Sequence, residues 1–109
     1  MKFEALDLES EVKFTVKKRG KVIVDTTILV DKLTKKEEKK IMLAVEKARE
    51  KIDDDAAEAL DDIEETAKVK FKMAVSGEDL SDLKKFADEY GYTLVMQRIE
   101  ELVRDAKGK

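Results

Sequence analysis

The chain of 109 residues contains no cysteine, histidine, proline or tryptophan. Without cysteine it can form no disulfide, no thiolate nucleophile and no thiolate metal site. Without histidine it lacks the commonest general base and the commonest transition-metal ligand. Asparagine is absent as well, and Gln97 is the only glutamine. The absences remove thiol and imidazole chemistry, and we predict neither a cofactor nor a metal site.

Long apolar runs are missing too. No segment approaches the roughly 20 apolar residues that a membrane-spanning helix needs, and the start MKFEALDLESE lacks the apolar core of a signal peptide. We therefore expect a soluble, cytoplasmic protein that does not bind membranes. A chain of this length builds one hydrophobic core, so we predict a single domain over residues 1–109.

Charged residues, in contrast, are abundant. They make up 45% of the chain, against about 25% in typical soluble domains. The 26 acidic residues outnumber the 23 basic ones, and the net charge of −3 argues against a nucleic acid as the partner. Enrichment in Lys and Glu with few amides is typical of thermophilic proteins and also of idealised designed sequences.

The N-terminal third alternates between apolar and polar residues. Residues 5–17 place Leu6, Leu8, Val12, Phe14 and Val16 on one side, which predicts a strand with one wet face. Gly20 supplies the positive φ of a tight hairpin turn. A second strand follows, with an apolar face of Val22, Val24, Ile28 and Val30.

The middle of the chain has helical periodicity. Thr34 and Glu37 fit a capping box. Steps of three and four residues then connect Ile41, Val45, Ala48, Ile52, Ala56, Ala59, Ile63 and Ala67. This stripe predicts one helix over residues 34–66, about 50 Å long. Asp55 and Glu58 form a second capping box, so a new helix starting near residue 54 is the alternative.

The C-terminal part predicts a third strand and two helices. Residues 68–75, KVKFKMAV, alternate like a strand, and a continued helix up to Ser76 is the alternative. Gly91 divides two helical patterns, and Thr93 is suited to cap the second. The predicted fold is two-layer α+β: an N-terminal β-hairpin and a third strand form an antiparallel sheet, packed by one long helix, with a C-terminal helical pair.

The acidic run IDDDAAEALDDIEE (52–65) has some spacing of a calcium-binding EF-hand loop. With Asp53 at position 1, Glu64 falls at position 12. However, position 5 is Ala57, which offers no ligand, and position 6 is Glu58, where the loop needs glycine. The sequence AAEAL also forms helix readily, so the pattern favours the solvated face of a helix over a calcium site.

Charge is segregated along the predicted long helix. Residues 32–51 hold eight basic and four acidic residues, whereas residues 52–66 hold eight acidic residues and no basic one. This order opposes the macrodipole of a single helix, which favours acids early and bases late. Two hypotheses account for this order: two such helices pair antiparallel, each acidic half against the other's basic half, or the acidic face binds a basic partner. The alternative is a solvated helix face. The candidate acidic face comprises Asp53, Asp54, Asp55, Glu58, Asp61, Asp62, Glu64 and Glu65.

Two clusters of basic residues would form one basic end of the molecule if the fold brings them together. They comprise Lys17, Lys18, Arg19, Lys35, Lys36, Lys39 and Lys40. Such a surface could bind the phosphate groups of a nucleic acid. The interleaved Glu37 and Glu38 and the scarcity of aromatic residues for base stacking weigh against nucleic acid.

No catalytic residue emerges from the sequence. No carboxylate sits in an apolar stretch that would raise its pKa, and there is neither a glycine-rich phosphate loop nor a nucleophile elbow. We predict a non-catalytic protein–protein interaction or assembly module that acts through the charge-segregated helix, with a protein partner or a second copy of itself. The alternatives are an acidic inhibitor or nucleic-acid mimic, of the size and charge of small virus-encoded accessory proteins, and a designed scaffold without natural function.

Overall fold

The computed structural model describes residues 8–107, which form a three-stranded antiparallel sheet and four helices. The predicted α+β fold is therefore confirmed. In chain order the elements are β1 (Glu9–Lys18), β2 (Lys21–Asp31), α1 (Lys35–Glu50), α2 (Ala56–Ala74), β3 (Val75–Ser76), α3 (Ser81–Tyr90) and α4 (Tyr92–Lys107). The sheet order is β1-β2-β3. The first predicted residues of β1, 5–7, lie outside the described residues.

The β1–β2 hairpin follows from alternation and from its turn. Val12 and Phe14 of β1 are buried, while their neighbours in the strand are exposed. The two turn residues, Arg19 and Gly20, have φ values of 53° and 79°. Positive φ at both central residues is the signature of the type I′ turn, whose twist matches that of the strands. The predicted role of Gly20 is confirmed.

A bulge near the turn changes which β2 side chains reach the core. Val16 pairs with Val24, but Lys17 pairs with Val22, so Ile23 is an extra residue in β2. A shift of one residue moves side chains to the other face of a sheet. Val22, which we expected on the apolar face, is accordingly 52% exposed, and that prediction was wrong.

The predicted single helix over residues 34–66 is also wrong. The capping box of Thr34 and Glu37 is present at the start of α1, but α1 ends at Glu50. After a turn, α2 begins at Ala56 with Asp55 as its N-cap, whose carboxylate accepts a hydrogen bond from the Glu58 amide at 3.1 Å. The alternative of a second helix is the one that the structure adopts. The chain thus forms an antiparallel α1–α2 hairpin.

The third strand is present but far shorter than predicted. Residues 68–74 continue α2, and β3 comprises only Val75 and Ser76, paired with Val30 and Leu29. Lysines at every second position resemble a strand's wet face. The buried residues nevertheless keep helical spacing, because Phe71 and Ala74 extend the stripe by steps of four and three from Ala67. Tertiary packing of that stripe favours helix.

One face of the sheet is covered by the later helices. α4 packs on β1, α3 on β2, and the end of α2 on β2 and β3. Phe71 and Tyr92 meet edge to face in this core, with ring centroids 5.3 Å apart. The helix that we expected on the sheet is therefore represented only by the last turns of α2, since α1 shares an extended interface with α2 alone among the described elements.

The α1–α2 hairpin projects from the core. The radius of gyration is 15.7 Å, and the extents are 55 × 40 × 23 Å, whereas a compact chain of this length has a radius near 13 Å. Ala48 and Ala59 are fully buried yet lie outside the main core cluster, as expected for a separate interface between two helices. Small residues there allow the two backbones to approach closely.

Replacing the α2 cap should cost stability. Asp55→Ala removes the acceptor for the Glu58 amide, and loss of an N-cap typically lowers the free energy of unfolding by about 1 kcal/mol. Chemical denaturation measures this change. Asp54→Ala is the matched control, because it removes the same charge one residue earlier without removing the cap. Equal destabilisation by both variants would contradict the assignment.

Candidate interaction surface

The helical hairpin resolves the charge anomaly of the sequence. The basic residues Lys47 and Arg49 lie in the last turn of α1, and the acidic run lies in the turn and at the start of α2. α2 carries Glu58 in its first turn and Lys72 in its last, which favours its macrodipole, whereas α1 also carries Lys35 and Lys36 in its first turn. The hairpin also brings the basic segment next to the acidic one, and Lys51 pairs with two of its carboxylates, Glu58 and Asp62.

One lysine joins two members of the predicted acidic face. The Nζ atom of Lys51 lies 2.8 Å from the Asp62 carboxylate and 3.4 Å from that of Glu58. The hydrogen bond to Asp62 and, to a smaller extent, the one to Glu58 raise the pKa of Lys51 above its ordinary value. These groups are partly exposed, and exposed ion pairs contribute little to stability. Their effect is to orient side chains at the hairpin tip.

Glu64, another member of the acidic face, has a structural role that the sequence did not reveal. Its carboxylate accepts hydrogen bonds from the Tyr92 amide at 2.5 Å, the Thr93 amide at 2.9 Å and the Thr93 hydroxyl at 2.9 Å. It therefore caps α4 from another helix. Thr93 does not act as the N-cap that we predicted, because α4 begins one residue before it.

The cap needs a glycine beside it. Gly91, which ends α3 as predicted, has φ 111°, a conformation that L side chains rarely adopt. A Cβ atom there would lie 3.2 Å from Oε1 of Glu64. With no side chain at residue 91 to cap α4, the carboxylate of Glu64 approaches the open amides directly.

The rest of the acidic face is exposed. Asp55 caps α2, and Glu58, Asp62 and Glu64 are engaged as described above. Four carboxylates are exposed and make no hydrogen bond or ion pair among the described residues. They belong to Asp53, Asp54, Asp61 and Glu65. Half of the predicted acidic face thus serves the chain's own helices, which leaves a smaller acidic surface for any partner.

The two predicted basic clusters do not come together. Lys17, Lys18 and Arg19 lie at the turn between β1 and β2, whereas the lysines 35, 36, 39 and 40 follow the opposite end of β2. A strand of eleven residues separates these ends by about 35 Å. Lys18 instead contacts the Tyr90 hydroxyl at 3.1 Å, which raises the pKa of Lys18.

An apolar groove opens at the base of the hairpin, between α1, α4 and the end of the sheet. Its volume is about 540 Å³, within the range of typical ligand pockets. The apolar residues that line it are Val30, Leu33, Ile41, Met42, Ala74, Met96, Ile99 and Val103. No local sequence pattern indicates this groove, because its walls come from five separate segments.

Charged residues of both signs surround the groove. Lys70 and Glu100 form an ion pair between α2 and α4, and Lys32 and Glu38 form another at 3.5 Å where β2 leads into α1. Asp31 and Arg104 complete the rim. An apolar floor with a polar rim is the usual composition of a protein interaction site.

α1 leaves two large apolar side chains uncovered, one of which lies at this groove. Met42, at the groove's edge, is 58% exposed, and Leu43 is 49% exposed. Ile41 is partly buried against the core, and Ala48 is the only buried residue of α1. The helix therefore presents exposed apolar surface at Met42 and Leu43.

Neither a metal cluster nor a buried carboxylate, lysine or arginine is found in the described part of the chain. Residues 8–107 contain no group of three acidic side chains arranged to hold a metal ion, and none of their polar or charged residues is buried. Residues 56–64 of the EF-hand-like segment are helical. None of the described helices is long and apolar enough to cross a bilayer.

The Glu64 cap makes stability depend on pH. Burial alone would raise the pKa of Glu64, but hydrogen bonds from Thr93 and Tyr92 outweigh it and hold the pKa below its ordinary 4.5. The ionised form is thus favoured in the folded state. Its stabilisation is complete above pH 4.5 and is lost as the pH falls through the lower folded pKa.

Glu64→Gln should therefore lower the melting temperature at pH 7 and weaken its dependence on pH below 4.5. The two proteins should converge in stability as the medium becomes acidic. Melting curves between pH 2 and pH 7 measure this, with Glu65→Gln as a control, because Glu65 is exposed and caps no helix. If the melting temperatures of Glu64→Gln and of the unmodified chain change with pH in the same way throughout, the capping role of Glu64 is contradicted.

Comparison of the chain with protein-family models, curated proteins and solved structures found no match.

Proposed function

We propose that the protein is a non-catalytic interaction module whose working surface is the outer side of α1 together with the apolar groove at its base. The observation that carries the proposal is the exposure of Met42 at the edge of an open groove, with Leu43, the next residue of α1, exposed as well. Soluble domains rarely leave contiguous apolar surface uncovered without a binding role. The partner that this surface suits is an amphipathic segment of another protein.

The shape and polarity of the groove support an amphipathic occupant. Apolar side chains spaced along one face of a helix or strand would enter the groove between Ile41 and Val103. Polar residues on the flanks of the segment would meet the mixed rim, where Asp31 offers negative charge and Arg104 positive charge. Since the rim carries both signs, the affinity should rest on apolar contact and respond only weakly to salt.

The acidic inhibitor or mimic is less well supported. Such a protein needs a free, continuous array of carboxylates, whereas Asp55 and Glu64 cap helices, and Asp62 is held by Lys51. A mimic would also bind more weakly as the salt concentration rises. Salt dependence therefore separates the two functions once a partner has been captured.

Site-specific photo-crosslinking tests the working surface. A photoreactive amino acid at Met42 should yield a discrete protein adduct in cells that express the chain. The same amino acid at Thr15, on the solvent face of β1, is the matched control and should not yield that adduct. Adding Val103→Lys, which places a charge in the groove, should abolish the adduct at Met42.

Two outcomes would contradict the proposal. One is the same set of adducts from Met42 and from Thr15, which would indicate random collision. The other is an adduct that survives Val103→Lys while the melting temperature is unchanged, which would place the contact outside the groove. Circular dichroism of each variant confirms that it is folded before the comparison is made.

A further inference from the structure

The tip of the α1–α2 hairpin is the only covalent connection between two halves of the fold. Residues 8–50 form β1, β2 and α1, and residues 56–107 form α2, β3, α3 and α4. The halves pack on each other through β2 with β3, α4 with β1, α3 with β2, and α1 with α2. A first half from one copy could make all of these contacts with a second half from another copy.

The connection consists of tight, helix-like turns. The Lys51, Ile52 and Asp54 amides donate to carbonyls three residues earlier, and the Asp55 amide donates to the Lys51 carbonyl at 2.7 Å, with the four-residue spacing of an α-helix. Asp55 has extended backbone angles, φ −150° and ψ 93°. Residues 51–55 include no glycine or proline that would require a bend. Rotation of few backbone bonds would join α1 to α2.

The apolar stripe supports this second conformation. Its steps of three and four residues run from Ile41 to Ala67 without a change of phase across the turn. One helix over residues 35–74 would be about 60 Å long. Two such helices lying antiparallel would place the start of one beside the end of the other. Each sheet would then meet the α3 and α4 of the other copy.

The hairpin tip contains one group that favours this arrangement and one that opposes it. Ile52 is 47% exposed in the hairpin, and the antiparallel arrangement places it near the symmetry axis, where the other copy would cover it. The same axis brings Asp53, Asp54 and Asp55 of the two copies close together. Their repulsion, together with the lost Asp55 cap, favours the closed hairpin.

We propose that a second copy of this chain is a binding partner, and that two copies exchange residues 8–50 around a hinge at residues 51–55. In the exchanged dimer, residues 35–74 of each copy form one continuous helix. The three consecutive aspartates set the balance between the hairpin and the dimer. This proposal goes beyond the groove-binding function and does not depend on it.

Cross-linking between the halves tests the exchange. Lys18 and Tyr90 belong to different halves and touch through Nζ and the hydroxyl at 3.1 Å. The double variant Lys18→Cys/Tyr90→Cys is refolded at high concentration, and its dimer is separated by size and treated with a short bis-maleimide. Because the chain has no other cysteine, exchange predicts that the linker joins two chains into a covalent dimer.

A second cysteine pair provides the control. Lys70 and Glu100 form an ion pair within residues 56–107, so Lys70→Cys/Glu100→Cys should give a link within one chain in every state. A dimer whose 18–90 link stays within one chain would show association without exchange and overturn the proposal. Absence of any dimer would also overturn it. Neither result bears on adducts at Met42, so the two proposals fail separately.

Hinge variants give an independent test. Replacing residues 53, 54 and 55 with alanine removes the repulsion and the cap and favours continuous helix, so the dimerisation constant should rise about tenfold or more. For the unmodified chain, the dimer fraction should rise with salt, which screens the aspartates. Light scattering measures both. A triple-alanine variant that remains monomeric would overturn the assignment of the hinge.

The covering of Ile52 can be tested in the same assay. Ile52→Ser should reduce the dimer fraction, because it removes apolar surface that only the dimer buries. Leu94→Ser is the matched control, since Leu94 is similarly exposed, at 48%, but lies on α4 away from the hinge. Equal effects of the two substitutions would contradict the arrangement around the symmetry axis.

Discussion

The fold depends on the helix start at Asp55. The carboxylate of Asp55 accepts the Glu58 amide, and the extended backbone at this residue turns the chain back so that α2 packs against α1. The positions of the later elements depend on this reversal of the chain. α2 returns to the sheet, Phe71 reaches the core, and the chain continues into the two-residue strand β3. A straight helix would have carried these residues away from β1 and β2.

Carboxylates organise the rest of the helical layer in the same way. Asp55 satisfies amides at the start of α2, and Glu64 on α2 satisfies those at the start of α4. Gly91 leaves the space through which Glu64 approaches. A run of acidic residues that resembles an interaction face in the sequence is thus partly a set of helix caps, because unpaired amides at helix ends attract negative charge.

The sequence predicted those parts of the structure that depend on local chemistry. The alternation of Val12 and Phe14, the turn at Gly20 and the capping box at Thr34 all depend on neighbours within a few residues. The break before Asp55 could not be decided from the sequence, since the stripe of apolar and small residues stays in phase across it while Asp55 and Glu58 fit a new helix start. The groove and the Glu64 cap depend on residues far apart in sequence, such as Ile41 with Val103, and local patterns carry no signal for such contacts.

The bulge at Ile23 and the charges of β1 affect a different property, the behaviour of the open sheet edge. Among residues 8–107, β1 pairs with β2 alone, so within this part of the chain its other edge offers amide and carbonyl groups that could recruit a strand from a neighbouring molecule. Glu11, Lys13 and Lys17 stand along that strand, and a bulge increases the local twist of the pair. A flat strand from a neighbouring molecule cannot pair along the full length of such a twisted, charged edge. This protects the sheet from growing into amyloid-like aggregates.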